Sequence, residues 1–179
     1  MQLSGKQTGV AKGMALAVLV SILIIVVGIF YDPFNIGATQ NIKNRTEILG
    51  SSLLLPILVL LVSIARLARH RFFNPYDIDG SGLSTGSKKA VILQSLLQNT
   101  LEQAVLASGA YVVGCLTMPS SWLSVIPLCS IAFLIGRISF FIGYEKGAAS
   151  RAFGFALTFY PTAGLILLLL ACQLKLIVS

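Results

Sequence analysis

The sequence predicts an all-α integral membrane protein, built as a four-helix bundle with one extra transmembrane helix on its N-terminal side. Of its 179 residues, 56% are hydrophobic and 11% are charged, whereas soluble domains average about 25% charged residues. Four stretches of membrane-spanning length carry no charged side chain. They cover residues 14–31, 48–65, 103–136 and 152–174.

In such a protein the basic residues behind the net charge of +7 indicate how the chain is oriented in the membrane, because Lys and Arg are enriched on the cytoplasmic side. The composition excludes a disordered chain, a disulfide-stapled secreted module and a nucleic-acid-binding domain. Cys115, Cys129 and Cys172 all lie in apolar stretches and are predicted to be small buried side chains. His70 is the single histidine, so no metal site is expected.

The first apolar run, residues 14–31, is predicted to be a retained anchor helix. Lys6 and Lys12 precede it as they would precede the core of a signal peptide, but the run is long and no convincing cleavage site follows it. A polar, turn-forming loop leads to the second span. Residues 1–47 are therefore predicted to form an anchor helix and loop, and residues 48–179 a four-helix membrane domain.

The remaining elements are placed by turn residues. Residues 66–89 contain several Gly and Pro breakers and are predicted to form a loop. A helix is predicted from Lys88 to about Leu116, and the fourth span begins at Trp122 after a tight turn. Residues 143–150 connect it to the fifth span, which gives five helices in all.

Basic residues are divided unequally between the two sides of the predicted membrane. Nine lie in the N-terminal tail, in the loop over residues 66–89 and in the connection before the fifth helix, and three lie on the other side. The positive-inside rule then gives a cytoplasmic N-terminus and a C-terminus on the opposite face. The three residues on the opposite side are Lys43, Arg45 and Lys175.

Polar residues recur along the third helix, so lipid does not surround it. Ser95, Asn99 and Glu102 fall within an arc of roughly 60°. The fourth span carries Arg137, and an unpaired charge at membrane depth costs about 2.5–3.5 kcal/mol. Since Glu102 is the one acidic residue well inside a predicted span, we expect it to be a neighbour of Arg137. The polar residues of the third helix are Gln94, Ser95, Gln98, Asn99, Glu102 and Gln103.

Polar groups inside a membrane protein either hold helices together or bind a ligand. One or two such groups most often make interhelical contacts. Here six occur within ten residues, and the next helix contributes Arg137 and Tyr144 on one face. This density favours a pocket for a polar ligand.

Arg151 stands at the predicted start of the fifth helix, where we expect Ser150 to be the N-cap. Backbone N–H groups at a helix N-terminus attract anions. An arginine beside them is suited to hold a thiol as its thiolate near neutral pH. The alternative is a basic side chain that only extends to the membrane interface.

Taken in order, these residues resemble the MAPEG family, the membrane-associated proteins in eicosanoid and glutathione metabolism. The similarity covers about residues 48–177. Residues 98–103 look like bacterial members in particular, and residues 74–77 resemble a loop of the prostaglandin E synthase branch. We therefore expect a bacterial inner membrane as the location. The residues that carry the likeness are Asn99, Glu102, Arg137, Gly143, Tyr144, Gly147 and the run from Arg151 to Phe155.

The resemblance implies a four-helix protomer in a homotrimer, with glutathione as cosubstrate between neighbouring subunits on the cytoplasmic side. Membrane lipids and a lipophilic small molecule are the other implied partners. Arg151 would be the catalytic residue, because it would stabilise the glutathione thiolate. The residues implied to bind glutathione are Asn99, Glu102, Arg137, Tyr144 and Arg66.

The expected function is that of a glutathione-dependent transferase or peroxidase acting on lipophilic electrophiles or lipid hydroperoxides. Two positions depart from the family pattern, since Ser95 replaces a common arginine and Phe140 replaces an aromatic hydrogen-bond donor. These departures leave open a catalytically silent trimer that binds a lipid or amphiphile in the same groove. A small transporter or accessory subunit is a further alternative, although no internal repeat supports it.

Overall fold

The computed structural model describes residues 4–38, 41–80 and 82–178, and every regular element within these residues is helical. The predicted all-α class is confirmed. Two short 3-10 turns, Ser120–Trp122 and Tyr144–Lys146, flank the fourth long helix. The five long helices are α1 (Gly5–Phe30), α2 (Ile42–Phe73), α3 (Lys88–Thr117), α4 (Val125–Gly143) and α5 (Ala148–Val178).

Four of the described segments are long and apolar enough to cross a membrane. The chain is therefore an integral membrane protein. The helix α3 is not among the four because of its polar residues, yet its 30 residues extend about 45 Å, more than the ~30 Å hydrocarbon core of a bilayer. The four segments are α1, α2, Ser120–Lys146 and Ala148–Lys175.

The helix α5 occupies a central place in the bundle. Both α1 and α4 pack along it, while α2 packs against α3 and α4. Between α3, α4 and α5 lies the main apolar core, in which Tyr111, Ile126 and Leu165 are fully buried. The functional residues predicted on α3, α4 and α5 therefore belong to helices that share one interior.

The helix α1 begins at Gly5, well before the apolar run that starts at residue 14. Ser4 and Gln7 form a capping box, in which Ser4 Oγ accepts from the Gln7 N–H at 3.3 Å and the Gln7 side chain accepts from the Ser4 N–H at 2.8 Å. This arrangement satisfies two backbone donors that a helix start leaves open. Hydropathy marks the lipid-crossing part of α1, whereas the cap sets where the helix starts.

The prediction of a loop over residues 66–89 is wrong for its first part, because α2 continues to Phe73. No Gly or Pro lies between residues 66 and 73, and basic side chains near a helix C-terminus interact favourably with the helix dipole. The helix ends at the residue before Asn74-Pro75, where a proline disfavours helical geometry. The helix α2 thus extends beyond the C-terminal end of the apolar span that it contains.

The described part of the loop between α2 and α3 folds around the carboxylate of Asp77, which is 1% exposed. Asp77 accepts hydrogen bonds from the Ser87 N–H at 2.6 Å and from the Ser87 hydroxyl at 2.7 Å, and His70 Nε2 lies 2.9 Å away. Burial raises the pKa of Asp77, but the bonds from Ser87 and His70 lower it by more, so the pKa lies below its usual value. Asp77 thereby fastens the end of α2 to the start of α3.

Candidate functional site

Arg137 on α4 is a fully buried charge at the junction of three helices, with 0% of its surface exposed. Its Nη1 donates to Asn99 Oδ1 on α3 at 2.7 Å, and its Nη2 donates to Thr158 Oγ1 on α5 at 2.5 Å. The guanidinium carbon lies 4.4 Å from the centroid of the Phe140 ring, which is a cation–π distance. Arg137 therefore joins α3, α4 and α5 through one side chain.

Arg137 reaches α5 because glycines allow α4 and α5 to approach closely. A Cβ at Gly136 would lie 3.0 Å from the Thr158 backbone nitrogen, and a Cβ at Gly154 would overlap the backbone nitrogen of Phe140. Small residues permit such backbone proximity in membrane bundles. A larger side chain at either glycine would move Thr158 away from Arg137.

The predicted proximity of Glu102 and Arg137 does not give an ion pair, and that prediction is wrong for the single chain. Glu102 is exposed, and its Oε1 accepts from Gln98 Nε2 at 3.0 Å. Ion pairs in the described part of the chain join Lys89 to Glu145 and His70 to Asp77. Three helical residues turn the chain through about 300°, so orienting Asn99 toward α4 leaves Glu102 about 60° away from that direction.

Three of the predicted site residues, Asn99, Tyr144 and Arg151, line one cavity of about 340 Å³, a volume within the range of roughly 300–1,000 Å³ usual for small-molecule sites. The guanidinium carbon of Arg151 lies 4.5 Å from the centroid of the Tyr144 ring. Since Asn99 also accepts from Arg137, the buried charge contacts a residue of the cavity wall. The other lining residues are Val10, Met14, Phe140, Ala148, Ala152 and Phe155.

Arg151 lies in the first turn of α5, as the sequence predicts, but Ser150 is not the N-cap. The helix begins at Ala148, and the Arg151 N–H donates to Gly147 O at 3.3 Å. Gly147 has a φ of +106°, a conformation that glycine adopts without strain, so α5 starts directly after the preceding 3-10 turn. The first N–H groups of a helix lack intrahelical acceptors, which places Arg151 beside an electropositive helix end.

A sequence model of the MAPEG family matches residues 48–171, which is more than half of the chain. The chain belongs to the MAPEG family. The resemblance seen in the sequence is thereby confirmed, and no curated protein and no solved structure matches this MAPEG protein. The matched residues contain all six predicted site residues, whereas α1 lies outside them.

Arg66 does not line the cavity of Arg151 in a single chain of this MAPEG protein. It is exposed on α2, with its guanidinium carbon 5.2 Å from the centroid of the Phe141 ring. It lines a separate cavity of about 480 Å³, together with His70 and Lys89. The single chain therefore does not bring Arg66 and Arg151 of this MAPEG protein to one cavity.

The two departures from the family pattern have clear structural consequences in this MAPEG protein. The Ser95 hydroxyl donates to the Val91 carbonyl at 2.9 Å, within its own helix. Phe140 lines the cavity of Arg151 and is buried, so it adds apolar surface where a hydrogen-bond donor would add a polar group. The cavity thus combines polar groups with a substantial apolar lining.

Thr158, Val10 and Met14 were not predicted to be site residues. Thr158 lies seven residues after Arg151 and hence on the same face of α5, and this spacing is a signal that could have identified it. Val10 and Met14 are apolar residues in an apolar helix. Their place at the cavity depends on how α1 packs, which no local pattern records.

Proposed function

We propose that this MAPEG protein is a glutathione-dependent membrane transferase or peroxidase. The observation that carries the proposal is the cavity in which Arg151 lies over the Tyr144 ring, at the start of α5 and beside Asn99. A free thiol has a pKa near 8.5, and a guanidinium at a helix N-terminus lowers that pKa toward neutrality. The thiol that such a site activates belongs to the cosubstrate glutathione.

In the transferase reaction the glutathione sulfur is the nucleophile, and the protein contributes orientation and positive charge. The thiolate forms a bond to an electrophilic carbon of the lipophilic substrate. A leaving group departs with the bonding electron pair, or, with a conjugated carbonyl compound, the α-carbon takes up a proton. Arg151 stabilises the sulfur anion until the new bond forms.

In the peroxidase reaction the thiolate attacks the terminal oxygen of a hydroperoxide. The O–O bond breaks, and the alkoxide takes up a proton to give an alcohol. The sulfenic acid formed on glutathione is reduced by a second glutathione thiol, which gives glutathione disulfide and water. Arg151 has the same role in both reactions, because the attacking species is the same thiolate.

The proposed assembly is a homotrimer with glutathione bound between neighbouring subunits. Glu102 supports it, since this carboxylate is exposed in the single chain near the middle of α3. An unpaired charge within a bilayer costs about 2.5–3.5 kcal/mol, so a partner subunit or a charged ligand at Glu102 is favoured. Glutathione carries both an ammonium and carboxylates, which complement Glu102 and Arg66.

The proposed location is the inner membrane of a bacterium, with the N-terminus of α1 in the cytoplasm. Support comes from the nine basic residues on that side. The cavity lies at the same side, because Val10 of α1 and Arg151 of α5 both come soon after the starts of their helices. Glutathione then enters from the cytoplasm and the lipophilic substrate from the bilayer.

The deciding experiment is an ultraviolet difference spectrum of the purified protein titrated with glutathione, in which thiolate absorbance is measured. The wild type is expected to show the thiolate signal at neutral pH, and Arg151→Ala is expected to lose it. Lys146→Ala is the matched control, because Lys146 is an exposed cation at the same end of the bundle. A wild type that gives no thiolate signal, or a signal that survives in Arg151→Ala, would refute the proposed mechanism.

A second candidate is a catalytically silent trimer that binds a lipid or amphiphile, and the apolar lining from Met14, Phe140 and Phe155 favours it. Thermal unfolding in detergent separates the two candidates. Stabilisation by a long-chain fatty acid, together with none by glutathione, would favour the silent trimer. Stabilisation by glutathione that Arg151→Ala abolishes would favour the enzyme.

A further inference from the structure

Val10 and Met14 of α1 line the cavity of Arg151, although α1 lies outside the residues that match the MAPEG family. The two residues are one helical turn apart and so face in the same direction. Both are apolar, and they join the cavity lining beside polar groups from α3 and α5. The extra helix therefore changes the shape and polarity of the candidate active site.

Close backbone contacts hold α1 against α5 on either side of Arg151. A Cβ at Gly9 would lie 2.7 Å from Ala149 Cβ, and a Cβ at Gly13 would lie 3.0 Å from the Phe153 backbone nitrogen. Such distances leave little room for a side chain, so the backbones of α1 and α5 approach each other at these glycines. The place of Met14 next to the cavity is thus set by helix packing and not by a flexible connection.

The polar and the apolar parts of the cavity lining suit different parts of the second substrate. A thiolate beside Arg151 requires the reactive atom of the second substrate to lie near Tyr144 and Arg151. The apolar remainder of that substrate is then most stable against apolar side chains. Met14, Val10 and Phe155 provide them within the same cavity.

We propose that α1 is the wall of the active-site cavity against which the apolar part of the second substrate lies, and that Met14 limits how large this part is. The inference rests on the proposed function, because it assigns a binding surface for the electrophile or hydroperoxide. It makes α1 a determinant of substrate specificity as well as an anchor.

Size selectivity tests the role of Met14. With glutathione in excess, kcat/KM is measured for a short-chain and a long-chain conjugated alkenal, in which the sulfur adds to the β-carbon and the α-carbon takes up a proton. Met14→Trp is expected to lower the ratio of long-chain to short-chain kcat/KM by at least about tenfold. Met14→Ala is expected to raise this ratio. Partial misfolding cancels, because both substrates are measured on one preparation.

Leu19→Trp is the matched control, since Leu19 is 65% exposed on α1 and lies about 140° around the helix from Met14. It is expected to leave the ratio of the two substrates unchanged. An equal change in Leu19→Trp, or an unchanged ratio in both Met14 variants, would overturn the proposal.

A chemical-protection experiment measures the same contact without turnover. Met14→Cys and Leu19→Cys are made with Cys172→Ser, since the remaining Cys115 and Cys129 are buried at 1% exposure. Each protein is alkylated with N-ethylmaleimide in the presence and absence of S-hexylglutathione, whose apolar tail imitates a product. The conjugate is expected to slow alkylation of Met14→Cys by at least about threefold and to leave Leu19→Cys unaffected.

The thiolate spectrum distinguishes failure of this inference from failure of the proposed function. A wild type that gives a thiolate signal, together with no protection of Met14→Cys, would refute the proposed role of α1 and leave the proposed function intact. Loss of both signals would refute the function and the inference together. Protection without a thiolate signal would support α1 as the wall of a binding site that does not activate the thiol.

Discussion

The two arginines of the candidate site differ in what surrounds them. Arg137 is fully buried, and its two terminal nitrogens donate to Asn99 and Thr158. Arg151 is half-buried, lies over the Tyr144 ring and borders a cavity. The Arg137 donors that are used within the bundle stabilise helix packing, whereas its Nε is buried without a hydrogen-bond partner. Donors beside a cavity are available to a ligand. From this comparison we propose that Arg137 mainly holds the helices together and that Arg151 acts on the thiol.

The largest expected effect is the loss of stability in Arg137→Leu. We expect its free energy of unfolding to fall by about 2–4 kcal/mol, because Asn99 and Thr158 lose the donor that the fully buried Arg137 supplies. Arg151→Leu is expected to change the same quantity by less than about 0.5 kcal/mol. Thermal unfolding in detergent measures both variants. Equal losses would contradict the distinction between the two arginines. A more stable Arg137→Leu would mean that the desolvation cost of the buried charge exceeds the stabilisation from its hydrogen bonds.

The next effect concerns the activity that Arg151 is proposed to support. Arg151→Gln is expected to lower kcat/KM by about 100-fold, equivalent to ~2.7 kcal/mol, because a stabilising charge next to the thiolate is lost. The thiolate absorbance should then appear only as the pH approaches the free-thiol pKa near 8.5. Arg151→Lys keeps the charge but loses the planar group over the Tyr144 ring, so its kcat/KM is expected to lie between those of the wild type and Arg151→Gln. Should lysine fail as badly as glutamine, the geometry of the guanidinium and not its charge would be decisive.

A smaller effect separates packing from chemistry at Thr158. Thr158→Val keeps the shape of the side chain and removes one acceptor of Arg137, so we expect a loss of about 1–2 kcal/mol in stability. The thiolate signal per folded molecule should be unchanged, since Thr158 does not line the cavity of Arg151. Thr162→Val is the control, because the Thr162 hydroxyl donates to a carbonyl of its own helix at 3.2 Å. A thiolate signal that disappears in Thr158→Val would place the Arg137 junction within the chemistry.

The smallest effect is a dependence of stability on acid pH that involves Asp77. Its pKa is lower in the folded protein, so its contribution is fully present above the unfolded value near 3.9 and is lost as the pH falls through the folded pKa. Asp77→Asn is expected to reduce the acid dependence of the thermal midpoint, and the exposed Asp79→Asn is expected to retain it. The thiolate signal at neutral pH should survive in Asp77→Asn. Its loss would assign Asp77 to the site of Arg151.

Much of the candidate site follows from short-range sequence patterns. Asn99, Tyr144 and Arg151 were predicted to be binding or catalytic residues, and they line one cavity. Arg137 was expected to need a polar partner within the membrane, and it has two. The expectation about Arg137 is confirmed because a charge in an apolar environment requires a partner wherever the helices lie.

The identity of that partner was not predictable in the same way. Glu102 was expected to meet Arg137, but Asn99 and Thr158 do so. Helical spacing places residues 99 and 102 on nearly the same face, and the choice between them depends on the rotation of α3 about its axis. That rotation is set by packing of α3 against its neighbours α2, α4 and α5, for example at Gly114, where a Cβ would lie 3.0 Å from Ile126 Cδ1 on α4.

The amino-acid order alone is enough for the five helices, their membrane character and the family. These follow from the hydropathy of single segments and from motifs within them, and both are local properties. The extension of α2 to Phe73, the partners of Arg137 and the lining of the cavity by α1 became apparent only in the folded chain. Each depends on contacts between residues distant in sequence or on caps at helix ends, and a pattern of apolar and polar residues does not encode the relative rotation and depth of packed helices.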